Sequence, residues 1–180
     1  MQGHLWGADA RQVDSGNLPI LVPVLFAYVT GTPDIRWLPE RLAAFSHSLI
    51  VRIDQGFGTT GPLTYDELDV ETGAWDFVSA AEQVRLRSDH GWSTRIYLSA
   101  DGKTEMSQAI AMVAPDARVW YRLADWNLDE AEAVTELTGD VYAVQWASPS
   151  SNPDTELPGT GLTLTEAGAD LNVVRAFYTN

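Results

Sequence analysis

Residues 118–146 read RVWYRLADWNLDEAEAVTELTGDVYAVQW, and the pattern changes period twice along them. Arg118 to Asp125 is rich in aromatic and branched residues, the composition of a strand. Leu128 to Thr138 has helical spacing, with Asn127 placed to cap it, Glu130 three residues on, acids in the first turn and Gly139 behind the last. Val141 to Trp146 then returns to strand composition. A strand, a helix and a strand in one run is the βαβ unit from which parallel sheets are built.

The same alternation extends outward in both directions. Strands are expected at Leu21 to Val29, Leu49 to Asp54, Tyr65 to Glu71 and Arg95 to Ser99, with weaker ones near Leu162 to Leu164 and Leu171 to Phe177. Helices fit Leu38 to Phe45, Trp75 to His90 with Gly91 as its stop, and Thr104 to Val113. Eight strand candidates point to a barrel. A full eightfold β/α barrel takes about 250 residues, and this chain has 180. The expected fold is therefore an α/β, abbreviated TIM-like β/α barrel with several outer helices missing. An open doubly wound sheet is the competing architecture. Residues 1–20, polar and glycine-rich, are expected as an N-terminal arm, 21–180 as the barrel, and Ala147 to Gly161 as a loop on the rim of a site.

Composition narrows the partners. Twenty-five acidic against eleven basic side chains leave a net charge of −14, which repels phosphate backbones and anionic membrane surfaces, so neither nucleic acid nor membrane is expected as a partner. The longest apolar stretch, Leu18 to Val29, is too short to span a bilayer and contains Pro19 and Pro23. Met1 to His4 lacks the basic start of a signal peptide. With no cysteine, thiolate catalysis and cysteine-held metals are excluded. His4, His47 and His90 are too scattered for a zinc pair, and no metal or cofactor is expected. Gly56 to Gly61 matches GxGxxG, but Pro62 follows where the phosphate-binding fingerprint needs a helix.

Carboxylates carry the expected chemistry. In Glu67-Leu68-Asp69-Val70-Glu71 the three acids share one face of a strand, with Asp69 and Glu71 at its C-terminal end, the end that carries the active site in β/α barrels. Such i, i+2 residues have α-carbons roughly 6.5 Å apart, close enough for repulsion to protonate one carboxyl while the other stays charged, an arrangement suited to glycosidic cleavage. On an exposed edge the same acids would be a solvated face, and together they could instead hold a calcium or magnesium ion. Asp54, Asp125, Gln145 and Asp170 occupy corresponding strand ends. Trp126 and Trp146 flank two of them and could stack on sugar rings, although core packing is an equal reading for both.

Taken in order, Leu68-Asp69-Val70-Glu71, Tyr121 to Trp126, Ala143-Val144-Gln145-Trp146 and Ala169 to Val173 resemble the glycoside hydrolase family 25 lysozymes, over roughly Ala27 to Phe177. The resemblance implies an incomplete β/α barrel that cleaves the glycan strands of bacterial peptidoglycan. It makes Glu71 the general acid, Asp69 the aspartate beside it and Asp170 the family's late aspartate; Asp125, Trp126, Gln145, Trp146, Asp54 and Tyr28 are expected with Asp170 around the substrate. It also implies a phage virion or an extracellular, cell-wall setting. The family's first strand carries an aspartate in a D-x-S context, and the stretch taken to correspond, Phe26 to Gly31, has none. The segments around Tyr28 and Asp54 look more like a divergent phage and bacterial subgroup of such barrels. The alternative expectation is a non-catalytic glycan-binding or structural module, such as a minor or decoration protein bound to other virion proteins, with the same acids paired to Arg52 or Arg122 or roofed over.

Overall fold

The computed structural model describes residues 3–11, 16–30, 32–56, 65–71 and 75–176. They form a closed barrel of eight strands in chain order: β1 (His4–Asp9), β2 (Val24–Tyr28), β3 (Leu49–Asp54), β4 (Glu67–Asp69), β5 (Thr94–Ser99), β6 (Val119–Ala124), β7 (Val141–Ala147) and β8 (Asp170–Arg175). Neighbours from β1 to β7 run parallel. β8 runs antiparallel to both β7 and β1 and closes the ring.

Helices are few. α1 (Pro39–Leu42), α4 (Glu130–Thr135) and α5 (Leu164–Ala167) are one or two turns long, and only α2 (Phe77–Asp89) and α3 (Lys103–Val113) are longer. The chain is thus an abbreviated α/β barrel, and its strand ring closes where an open sheet would leave two edges. None of the described helices is long and apolar enough to cross a membrane.

Three local expectations are corrected. Within the expected arm of residues 1–20, His4–Asp9 does not lie outside the barrel but hydrogen-bonds between β2 and β8. Gly7 hid that strand: it has poor strand propensity, yet a Cβ there would meet Phe26 Cε2 at 2.9 Å and Val24 at 3.1 Å. Leu162 to Leu164 is not a strand; Thr163 makes one bridge to Glu156 and caps α5 with its hydroxyl. The fourth helix starts later than Asn127 implies, because Asp129 and Glu132 form its capping box. The Gly56 to Gly61 motif lies, beyond Gly56, outside the described residues.

Apolar side chains form two layers. Leu25, Leu68, Ile96, Leu98, Leu123 and Val144 point outward and pack with Ala80, Val84, Met106 and Ile110 of the long helices. Val24, Phe26, Val51, Ile53, Tyr142, Ala143 and Val174 fill the lower interior. Above them the interior changes to polar and charged side chains, and the candidate site begins there.

Candidate functional site

Strand alternation sets which residues reach that upper interior. On β4, Leu68 points to the outer layer, so Glu67 and Asp69 point in, and both are fully buried. On β6, Arg122 points in between Tyr121 and Leu123 and is 0% exposed. Its Nη1 donates to Asp9 Oδ2 at 2.7 Å and to Gln145 Oε1 at 2.8 Å, and its Nε donates to Glu67 Oε1 at 2.9 Å. Tyr142 donates its hydroxyl to the other Glu67 oxygen. The guanidinium also lies over the Tyr97 and Phe26 rings, 3.9 and 4.3 Å from their centroids. Burial alone would push Arg122 down, but the Glu67 and Asp9 carboxylates outweigh it and hold the group well above its ordinary value.

One layer higher, at the C-terminal mouth, Asp69 Oδ2 accepts from Gln55 Nε2 at 3.2 Å and its Oδ1 accepts from the Glu71 backbone N–H at 3.0 Å. That second bond ties the position of Glu71 to Asp69. The Tyr97 hydroxyl donates to Glu71 Oε2 at 2.9 Å. Across the mouth, Gln145 Nε2 donates to Asp170 Oδ2 at 3.0 Å. A cavity of about 540 Å³ opens at this end, lined by Asp9, Arg11, Tyr28, Gln55, Ser150 and Asp170 among others, while Asp69, Glu71, Tyr97 and Gln145 lie outside its lining.

Burial raises the Asp9 carboxyl to about 6 against the opposing pull of Arg122. It raises Asp170 to about 8, with the charges of Asp9 and Glu71 adding to the shift and Arg122 and Arg11 opposing it. Tyr28 is pushed well above the ordinary phenol range by burial and then by Asp9 and Asp69, so its hydroxyl stays neutral. The mouth can therefore offer neutral acid protons and carboxylates side by side at neutral pH.

The expected site residues divide by strand face. Asp170 and Tyr28 line the cavity; Asp69 and Gln145 are bonded to its lining residues Gln55 and Asp170, and Glu71 to Asp69 and Tyr97, but these three do not line it. Asp54 turns away to accept from the Thr30 hydroxyl and the Gly56 backbone N–H. Asp125 accepts from the Asn127 backbone, Trp126 is 38% exposed, and Trp146 belongs to the outer apolar layer; none of the three lines the cavity. From the expected rim loop, Pro149 and Ser150 do line it. Arg52 pairs with Asp66 outside the barrel. Arg122 takes Asp9 and Glu67, and among the described residues neither Asp69 nor Glu71 is ion-paired.

Sequence reasoning passed over Asp9 and Gln55. Gln55 was accessible to it, since Val51 and Ile53 face inward and the next in-phase position is 55, not 54. Asp9 ends the first strand of the barrel, so the stretch Phe26 to Gly31 was the wrong place to look for a first-strand aspartate. Among the described residues no three histidine, aspartate or glutamate side chains are grouped so as to hold a metal ion. Scans against protein-family models, curated proteins and solved structures returned no match to this chain.

Proposed function

We propose that this chain is a lysozyme-like glycoside hydrolase acting on the glycan strands of bacterial peptidoglycan. One observation carries the reading: Asp69 at the end of β4 and Glu71 two residues on, joined by the Glu71 N–H to Asp69 Oδ1 bond, stand at the C-terminal end of the barrel without an ion-pair partner among the described residues, and Asp69 is bonded to Gln55, which lines the cavity. The resemblance to family 25 lysozymes assigns roles to the same two residues. Glu71 protonates the leaving glycosidic oxygen; with Tyr97 donating to Oε2, Oε1 is the oxygen left to carry the proton. Asp69, held by Gln55, stabilises the positive charge that develops on the sugar or orients an acetamido group toward it. Asp170 and Tyr28 contact the substrate from the opposite wall.

Incubating the protein and its Glu71→Gln variant with purified peptidoglycan tests this. New reducing ends from the wild type alone are expected, and equal, background release from both removes the catalytic claim.

The second reading is a barrel that binds glycan, or other virion proteins, without cleaving. The absence of Asp69 and Glu71 from the cavity lining favours it, because a ligand in the cavity meets Asp9, Tyr28 and Asp170 in place of the two carboxylates that cleavage needs. Binding to peptidoglycan with no release of reducing ends would select it.

A further inference from the structure

Asp9 and Asp170 lie directly opposite each other in the antiparallel register of β1 and β8, and both line the cavity at the mouth. Opposed residues in such a pair have β-carbons about 4.5–5.5 Å apart. Two carboxylates at that spacing repel, and the repulsion favours a single proton held between them. Arg122 makes the pair unequal. Its Nη1 touches Asp9 directly at 2.7 Å but reaches Asp170 only through the Gln145 amide. The orientation of that amide follows from chemistry, because a guanidinium cannot accept a hydrogen bond. Gln145 therefore turns Oε1 to Arg122 and Nε2 to Asp170 Oδ2, and the proton on Asp170 belongs on Oδ1.

We propose that Asp9 and Asp170 form a second acid–base couple beside Asp69 and Glu71, sharing one proton that resides on Asp170 while Asp9 carries the charge. The couple receives an uncharged ligand group that presents an acceptor oxygen next to a donor hydrogen, as a secondary amide or a pair of sugar hydroxyls does. The proton assignment stands on the barrel alone, whereas the choice of sugar ligands rests on the glycan reading above.

The charged and titratable groups acting on Asp170 are Asp9 and Arg11 from β1 and the turn after it, Glu71 after β4 and Arg122 on β6; Tyr28 of β2 shares the cavity. Arg122 favours ionisation of both members, but it holds Asp9 in direct contact. Burial pushes Asp170 up to about 8 and Asp9, held by Arg122, only to about 6, the same order as the contacts.

Carboxyl-carbon NMR of the whole chain across pH, with Asp170→Asn to assign the signal, measures the couple without any ligand. Asp170 is expected to titrate near 8 and to fall toward the ordinary carboxylate range in Asp9→Asn. If Asp9→Asn does not fold, Asp170→Asn should lower the Asp9 midpoint reciprocally. An Asp170 midpoint in the ordinary range, or one that its partner's substitution leaves unmoved, overturns the shared proton.

For the ligand, calorimetry compares N-acetylglucosamine, glucose and glucosamine tetramers. Affinity for an uncharged tetramer should fall roughly tenfold per pH unit above the Asp170 midpoint, and Asp170→Asn should abolish that fall. Binding of both uncharged tetramers identifies the hydroxyls, and of the acetylated one alone, the amide. Preference for the cationic tetramer, or binding of none, overturns the ligand assignment. Peptidoglycan cleavage fails or succeeds independently of the titration.

Discussion

Arg122 and Glu67, 55 positions apart in the chain, meet in the middle of the barrel with Nη2 2.7 Å from Oε1 and neither side chain exposed. Asp9 completes the arrangement from β1, so that one cation sits between two carboxylates in the layer directly beneath the mouth. Hydrogen bonds from Tyr142 to Glu67 and from Arg122 to Gln145 satisfy further polar atoms of the group and offset part of the cost of desolvating it.

Removing the cation alone should therefore be severe. Arg122→Met is expected to cost about 3–5 kcal/mol, because two buried carboxylates lose their partner, whereas Arg122→Met combined with Glu67→Gln and Asp9→Asn should recover most of that loss. Urea midpoints of the wild type and these two variants measure it. A single variant within about 1 kcal/mol of the wild type would contradict this account of the layer.

Gly7 leaves room for Phe26. Gly7→Ala puts a methyl 2.9 Å from Phe26 Cε2 and 3.1 Å from the Val24 backbone oxygen, an overpacking that should cost about 1–3 kcal/mol. Phe26→Leu in the same chain should relieve part of it, giving a coupling energy in a double-mutant cycle. Strict additivity would place the strain elsewhere.

The pH dependence of stability has a definite sign. Asp170 and Asp9 bind protons more tightly folded than unfolded, since their folded values of about 8 and about 6 lie above the ordinary 3.8. Their contribution is full below about pH 4 and is lost as pH rises through 6 and then 8. Asp170→Asn should flatten the curve over that window and be more stable than wild type above it, by on the order of 2–5 kcal/mol. Thermal melts across the range decide it, and a wild type that gains stability relative to Asp170→Asn with rising pH would reverse the assignment.

Tyr97 orients Glu71. Tyr97→Phe deletes the hydroxyl that holds Oε2 while leaving the ring under the Arg122 guanidinium. If the barrel is a glycosidase, the turnover number should drop roughly ten- to a hundredfold with little change in unfolding midpoint. Kinetics on peptidoglycan beside a melt separate the two effects, and a variant with unchanged turnover would leave Glu71 oriented by something else.

Composition and periodicity by themselves determined the α/β class, seven of the eight strands, the two long helices and the inward direction of Glu67 and Asp69. Each depends only on side chains within a few residues of one another, through 3.6-residue or two-residue repeats. Residue 54 was preferred to 55 because an acid is conspicuous, although the alternation through Val51 and Ile53 already pointed to Gln55. What only the tertiary structure decided was closure and the identity of the partners that closure brings together. β1 is a strand because β2 and β8 supply its hydrogen bonds and Phe26 needs the space of Gly7. Asp9 is a site residue because ring closure puts it opposite Asp170 and within reach of Arg122, 113 positions away. No local pattern encodes a register between the first and last strands of a barrel, since that pairing is set by packing summed over the whole ring.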